Sequence, residues 1–192
     1  MLDNLKKYNL VLASSSPRRQ QLLAGLGLKF DIRPSYIDEF HPDNLGMTAI
    51  PVYLAELKAE ALRSTMKDNE LIITADTIVW KDNIVLNKPN TREECIEMLR
   101  DLSGAHHQVI TGIHLMSISK KVSFHAVSEV VFEELSEEEI TYYVDNFKPF
   151  DKAGGYGVQE WIGYVAISHI EGSFYNVMGL PVHKLYHHLK EF

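Results

Sequence analysis

The sequence has little cysteine and no long apolar run. One cysteine, Cys95, occurs among the 192 residues, so an intrachain disulfide is excluded. No stretch approaches the ~18 consecutive apolar residues that a membrane-spanning helix needs. The N-terminal segment has two lysines but only a short apolar run, which does not indicate a secretory signal. These absences predict a cytoplasmic protein that uses no membrane.

Basic residues are also scarce relative to acidic ones. Lysine and arginine number 19 against 26 aspartates and glutamates, which gives a formal net charge of −7. A protein that coats duplex nucleic acid needs a broad basic face, so we expect no such partner. A small anion held by a few converging cations is not excluded. With 45% hydrophobic residues, the chain is long enough to bury a core without disulfides or metals.

Hydrophobic patterning predicts that strands alternate with helices. The predicted strands are 8–13, 30–36, 71–74, 77–80, 84–86, 108–118, 122–132 and 163–170. The predicted helices are 18–26, 48–66, 91–104, 136–146 and 181–190. Because hairpins occur together with strands separated by helices, we predict an α/β fold whose mixed sheet is flanked by helices.

The first strand leads into a helix through the segment SSSPRR. The first turn of a helix offers unpaired N–H groups and the positive end of its dipole, where Arg18 and Arg19 are unfavourable. A bound phosphate chain would offset this conflict through the amides, the guanidinium groups and the hydroxyls of Ser14, Ser15 or Ser16. The alternative is an ordinary capped helix with two solvated arginines.

Two charged residues interrupt apolar patterns. Asp76 lies within LIITADTIVW, where a half-buried carboxylate must be paired, hydrogen-bonded or bound to a metal. The alternative is an aspartate in a turn or bulge that bonds to its own backbone. Lys58 lies on the apolar stripe of the second helix, and its ammonium either reaches solvent or stays inside beside an anion.

Three further segments are compatible with ligand binding, and each also has an ordinary explanation. Lys88 follows a strand, where ligand residues and solvated lysines both occur. Asp38 and Glu39 could share a divalent cation, although such pairs are more often solvated. The segment 151–159 has three glycines that permit close approach to a ligand, and its Gln159 could bond to a nucleobase edge. A tight turn without a ligand explains the glycines equally well.

The patterns around the single cysteine and two of the histidines indicate structural roles. Cys95 shares a predicted helix face with apolar residues, which favours packing in the core over a nucleophile. His183 and His187 lie one helical turn apart, as zinc ligands can, but no third ligand is evident, so a solvated helix surface is the preferred interpretation.

Taken together, the sequence resembles the Maf family of nucleoside triphosphate pyrophosphatases. The matching segments are LASSSPRR (12–19), IDE (37–39), LAELKA (54–59), ITADTIV (73–79), NKP (87–89), LSGAHHQVITG (102–112), DKAGGYGVQ (151–159) and GSFYNVMGLP (172–181). One match would be weak evidence, whereas eight in the family's order, over nearly the whole chain, make a chance resemblance unreasonable.

The resemblance implies a fold and an activity. The fold would be that of the inosine triphosphatase group: an elongated mixed β-sheet flanked by helices, with residues 1–192 forming a single domain of two lobes around a central cleft. The activity would be hydrolysis of a nucleoside triphosphate to the monophosphate and pyrophosphate with Mg²⁺ or Mn²⁺. The 151–159 loop resembles that of the subgroup acting on dTTP and UTP. A homodimer and a link to restraint of cell division or septum formation are also implied.

By motif position, the resemblance implies roles for residues at the phosphates. Asp76 would be the proton acceptor and, with Glu39, would hold the metal. Arg18, Lys58 and Lys88 would hold the phosphates.

Other residues would act in substrate recognition. Arg19, Thr77 and Gln159 would read the substrate or set selectivity, and Lys152 would add a further cation at the loop. The division of tasks between the two arginines stays open.

Three positions depart from the family pattern. Glu160 replaces a common glycine, and if this position required a positive φ, the glutamate would cost roughly 1 kcal/mol and shift the loop. Asn87 replaces a glycine and Ser128 a threonine, and we expect little effect from either.

Two other functions use the same features. A non-catalytic nucleotide-binding regulator of cell division would bind dTTP or UTP without releasing pyrophosphate. A phosphomonoesterase or sugar-phosphate enzyme would release orthophosphate.

Overall fold

A computed structural model describes residues 2–192, which form an α/β fold with one mixed β-sheet. Within these residues the strands are β1 (Asn9–Leu12), β2 (Asp31–Ile32), β3 (Glu70–Lys81), β4 (Ile84–Leu86), β5 (His106–Met116), β6 (Lys121–Phe132) and β7 (Ile167–Glu171). The helices are α1 (Pro17–Ala24), α2 (Ala49–Glu60), α3 (Arg92–Leu102), α4 (Glu137–Phe147), α5 (Trp161–Val165), α6 (Phe174–Val177) and α7 (Val182–Lys190). Short 3₁₀ turns occupy Asp3–Lys7, Arg63–Thr65 and Ala153–Gly155.

The sheet combines parallel and antiparallel strands. Its order is β2-β1-β3-β5-β6-β7, and β4 pairs with β3 outside this path. Strand β1 is parallel to β2 and β3, whereas the β3–β4 and β6–β7 pairs are antiparallel. The predicted α/β fold with a mixed sheet is therefore confirmed.

The chain divides into two compact units. The first comprises the residues up to Asp76 together with Thr111–Ala126 and Gly179–Phe192. The second comprises Thr77–Ile110 and Val127–Met178.

Parallel strands form the centre of the first unit. In β1 and β3, Leu10 pairs with Leu71 and Leu12 with Ile73, and all four side chains are buried. Such continuous apolar runs are expected where both faces of a parallel sheet are covered. Leu23 of α1 is fully buried in the same core, which confirms the predicted apolar face of that helix.

Helix α2 lies against β5 at unusually short range. A Cβ atom at Gly112 would lie 2.3 Å from the carbonyl carbon of Pro51, so only glycine allows this approach. The helix ends at Glu60, before the predicted end at residue 66. The Thr65 hydroxyl donates to the Leu62 carbonyl, and the chain tightens into the turn Arg63–Thr65.

Capped helices and a short hairpin shape the second unit. Thr91 Oγ1 accepts from the Glu94 N–H at the start of α3, and Ser136 and Glu139 form a complete capping box at the start of α4. The turn between β3 and β4 places Asp82 and Asn83 at φ 49° and 64°, the left-handed geometry that tight hairpins need. The predicted starts of these two helices and the predicted turn before residue 84 are confirmed.

Two predicted strands are wrong in extent. Strand 163–170 begins only at Ile167, because residues Trp161–Val165 form α5, whose turn is closed by hydrogen bonds such as Ala166 N–H to the Ile162 carbonyl. The predicted strand 30–36 is reduced to Asp31–Ile32, and Pro34, which has no N–H to donate, follows closely. No helix among residues 2–192 is long and apolar enough to cross a membrane.

Candidate active site

An ion-pair cluster forms around one buried ammonium group in the first unit. Lys58 Nζ lies 2.5 Å from Asp76 Oδ1 and 2.7 Å from Glu39 Oε1. The side chains of Lys58 and Asp76 are only 10% and 8% exposed, whereas that of Glu39 is 41% exposed. Of the two alternatives for Lys58, an ammonium kept inside beside an anion is the one observed, and the anions are two carboxylates of the protein.

The local fold explains why these groups meet. Residues 74 and 76 lie on the same face of β3, because strand side chains alternate. Thr74 Oγ1 donates to the Ala55 carbonyl of α2 at 2.7 Å, and Lys58 lies one helical turn after Ala55. The strand is thus fixed to the helix one turn away from the ion pair.

Strand β3 is continuous through Asp76, which corrects the prediction of two strands separated by Ala75 and Asp76. The alternative of an aspartate in a turn is therefore wrong. The carboxylate of Asp76 is bonded to Lys58 and so does not need to bond to its own backbone.

The two arginines of α1 belong to the same charged region. Arg19 is half-buried, and its Nε donates to the Gly179 carbonyl at 2.9 Å. Burial lowers the pKa of the Arg19 guanidinium and the neighbouring charge of Arg18 acts in the same direction, whereas Asp76 and Glu39 raise it. For Arg19, the alternative of a simply solvated arginine is therefore wrong.

The serines before α1 shape the turn that leads into the helix. Ser16 is the N-cap residue by position, with Pro17 as the first helical residue, as predicted. Its side chain makes no capping hydrogen bond. Instead, the Ser16 N–H donates to Ser14 Oγ at 3.2 Å, and Gln20 Nε2 donates to the Ser14 carbonyl at 3.2 Å.

The glycine-rich loop forms a second group of candidate residues, in the second unit. Lys152 is buried, and its Nζ lies 2.7 Å from Asp151 Oδ1 and 3.0 Å from Glu160 Oε1. Gln159 is half-buried, and its Oε1 has no hydrogen-bond partner among residues 2–192. Glu160 adopts φ −97°, ψ 179°, so this position requires no positive φ and the expected backbone penalty does not arise.

Two further predicted residues of the second unit lie apart from this loop in the sequence. Lys88 is exposed in the segment after β4. Thr77 is half-buried in β3 directly after Asp76, and strand alternation directs these two side chains to opposite faces.

The structure therefore brings together five of the predicted residues in the first unit: Arg18, Arg19, Glu39, Lys58 and Asp76. Glu160 and Tyr143 were not among the site residues predicted from the sequence. Glu160 was recognisable as a departure from the family pattern. Nothing in the sequence singled out Tyr143.

A divalent cation suits the donors of the first unit. Glu39 and Asp76 each bond to the same nitrogen, so their carboxylate oxygens converge. Oxygen ligands of this kind are those that Mg²⁺ and Mn²⁺ prefer. Within residues 2–192 no group of three or more histidine, cysteine, aspartate or glutamate side chains converges, so the substrate's phosphates and water would have to supply the other ligands.

These residues define a class of binding site. In an α/β fold, two carboxylates, a buried ammonium and two arginines at a helix start come together, an arrangement suited to a polyanionic ligand accompanied by a cation. The chain belongs to the Maf family, since the family model described as "Maf-like protein" matches residues 9–192.

Curated relatives match the chain over its full length. The chain is 58% identical over 193 residues to a protein of Parabacteroides distasonis and 55% identical over 192 residues to one of Bacteroides thetaiotaomicron, with 100% of each chain covered. It is 46% identical over 187 residues to a protein of Flavobacterium johnsoniae, covering 97% of this chain and 96% of that one. All three relatives are named "dTTP/UTP pyrophosphatase".

Proposed function

We propose that this protein hydrolyses dTTP and UTP, or modified pyrimidine nucleotides, to the nucleoside monophosphate and pyrophosphate. The observation that carries the proposal is the ion-pair cluster in which buried Lys58 and Asp76 meet the more exposed Glu39. Both carboxylates also interact electrostatically with Arg19 of α1. The full-length similarity to relatives named dTTP/UTP pyrophosphatase supports the choice of substrate.

The triphosphate of the substrate is proposed to bind to positively charged side chains. Arg18, Arg19 and Lys58 supply charge in the first unit, and the hydroxyls of Ser14 and Ser16 lie beside the start of α1. A triphosphate carries about four negative charges, and concentrated positive charge stabilises the charge that develops on the leaving pyrophosphate. Lys88 is assigned to the same role in the second unit.

Asp76 is proposed to accept the proton of the attacking water. The oxygen of water forms a bond to the α-phosphorus, the bond to the bridging oxygen of the β-phosphate breaks, and pyrophosphate leaves with its electron pair. A buried carboxylate held by one ammonium has a fixed orientation, which general-base catalysis requires. Glu39 and Asp76 would hold Mg²⁺ or Mn²⁺, which supplies neutralisation of phosphate charge when it is bound.

Selectivity for the nucleotide is assigned to Arg19, Thr77 and Gln159, and Lys152 is a further cation at the loop. Gln159 has a buried amide oxygen that can accept a hydrogen bond from a base edge. Lys152 provides a cation in the same loop, and Thr77 provides a hydroxyl. We further propose that the protein acts in the cytoplasm as a homodimer, independently of duplex nucleic acid and membranes.

One product assay tests the reaction. Purified protein with Mn²⁺ or Mg²⁺ and each of several nucleoside triphosphates should release equal amounts of monophosphate and pyrophosphate, most rapidly from dTTP and UTP. Release of orthophosphate would instead indicate a phosphomonoesterase. Binding without any release would indicate a non-catalytic nucleotide-binding regulator of cell division.

A pair of matched variants tests the catalytic residue. Asp76→Asn should lower turnover by about 10²-fold or more, the usual scale for the loss of a general base. Asp68→Asn changes an exposed aspartate in the same way and should leave turnover unchanged. Turnover of Asp76→Asn close to that of the wild type would refute the assignment.

A further inference from the structure

A chain of hydrogen bonds connects helix α4 to the glycine-rich loop of the second unit. The hydroxyl of Tyr143, on α4, accepts from the Gly157 N–H at 3.0 Å and donates to Glu160 Oε2. The other carboxylate oxygen, Glu160 Oε1, lies 3.0 Å from Lys152 Nζ. One tyrosine hydroxyl and one carboxylate thus connect both ends of the loop.

The side chains at the end of the loop fold back over Gly157. A Cβ atom at residue 157 would lie 2.9 Å from Gln159 Nε2 and 2.9 Å from the carboxylate carbon of Glu160. Glycine at this position leaves room for the two side chains, and a Cβ atom here would displace their ends. The position of the Gln159 amide consequently depends on how Gly157 and Glu160 are held.

The charges of this network are unequally shielded from solvent. The Lys152 side chain is 9% exposed and Glu160 is 20% exposed, whereas Asp151, the other partner of Lys152, is 60% exposed. A carboxylate that is shielded from water orients a neighbouring ammonium more strongly than an exposed one. Burial and the Glu160 carboxylate both raise the pKa of the Tyr143 hydroxyl, which therefore stays protonated and donates to Glu160.

We infer that Glu160 is a positioning residue that fixes the ammonium of Lys152 for contact with the substrate, and that Tyr143 holds Glu160 in place. The inference rests on the proposed role of Lys152 and Gln159 in substrate binding. Glu160 itself does not contact substrate in this assignment. It acts through Lys152. The hydrogen bond from the Gly157 N–H to the Tyr143 hydroxyl holds the loop backbone beside the residue that also binds Glu160.

A double-mutant cycle separates this role from a purely structural one. The probe is α,β-methylene-UTP, whose binding is measured by calorimetry and needs no turnover. In the wild-type background Glu160→Gln should raise the dissociation constant about tenfold, as expected for a lost charge-assisted hydrogen bond. In the Lys152→Met background the same substitution should change it by less than about twofold, because its target is gone.

Two single variants complete the design. Tyr143→Phe retains the buried ring, removes the hydroxyl, and should weaken binding of the analogue by about fivefold because Glu160 loses its donor. Asp151→Asn removes the exposed partner of Lys152 and should weaken binding by less than about threefold, since exposed pairs contribute little. For turnover of UTP, Glu160→Gln should raise KM and leave kcat within about twofold.

The outcomes distinguish this inference from the proposed function. Equal effects of Glu160→Gln in both backgrounds, in a protein that binds the analogue, overturn the positioning role alone. A wild-type protein that binds the analogue but releases no pyrophosphate overturns the proposed hydrolysis, and the cycle still decides the inference. A wild-type protein that neither binds the analogue nor releases pyrophosphate from UTP overturns both.

Discussion

Replacement of Lys58 by methionine should destabilise the protein while the chain keeps its fold. Methionine has a similar length and suits the apolar stripe of α2, so the main loss is the positive charge. Asp76, with a side chain that is 8% exposed, then has a buried charge without its 2.5 Å partner. Breaking a buried pair in this way costs about 3–5 kcal/mol.

The contribution of Glu39 to that loss is small. Its side chain is 41% exposed, so solvent screens its interaction with Lys58 and the pair contributes about 0–1 kcal/mol. Glu39→Gln alone should therefore change the free energy of unfolding by less than about 1 kcal/mol. The expected loss in Lys58→Met lies near the lower limit, about 3 kcal/mol, because Asp76 provides nearly all of it.

The double variant Lys58→Met/Asp76→Asn makes the argument testable. Removal of the unpaired carboxylate should recover about 2 kcal/mol, because a neutral amide is far less costly to bury than a charge. Urea unfolding measures the stability, and pyrophosphate release measures the activity, which should stay absent in the double variant. A loss below about 1 kcal/mol in Lys58→Met, or no recovery in the double variant, would refute the reasoning.

Four further outcomes are expected. Burial lowers the pKa of His107 from 6.5 to about 4, so only the unfolded chain binds a proton between these values. The free energy of unfolding should be at its full value above pH 6.5 and should fall by about 3 kcal/mol as the pH drops to about 4. His107→Gln should flatten the pH dependence of the urea unfolding midpoint. Gly112→Ala should cost about 1–3 kcal/mol in thermal unfolding, because its Cβ would meet the backbone of α2, whereas Gly46→Ala, where nothing lies within 4 Å, should cost less. Ser136→Ala should lower stability by about 1 kcal/mol through loss of the capping box, and an unchanged midpoint would contradict that role. Chelation should abolish turnover, added Mn²⁺ should restore it, and Glu39→Gln should raise the Mn²⁺ concentration needed for half-maximal activity.

Local signals in the sequence predicted the ends of several elements. Ser16, Thr91 and Ser136 each precede a helix as predicted, since an N-cap depends on residues within one turn. The strand expected at 163–170 was wrong, because its apolar residues suit α5 as well as a strand. Short apolar runs do not distinguish these two structures by periodicity.

The sequence located the charged residues of the site but did not determine their partners. The apolar stripe of α2 placed Lys58 on the face directed at the core, yet both a solvated ammonium and an internal ion pair suited the pattern. The pairing with Asp76 depends on contact between α2 and β3, which are separated along the chain. Tyr143 was missed for the same reason, because its hydroxyl meets the loop only in the folded unit.

The reactivity of the single thiol reports on opening of the glycine-rich loop. Cys95 Sγ lies 3.7 Å from the Gly155 carbonyl oxygen, and burial raises the pKa of the thiol to about 11. A buried thiol that is hardly ionised reacts with iodoacetamide only after the covering segment opens. Since the chain has no other cysteine, the alkylation rate of the unmodified protein measures loop opening directly, and slower alkylation with bound nucleotide would show that the ligand holds the loop closed.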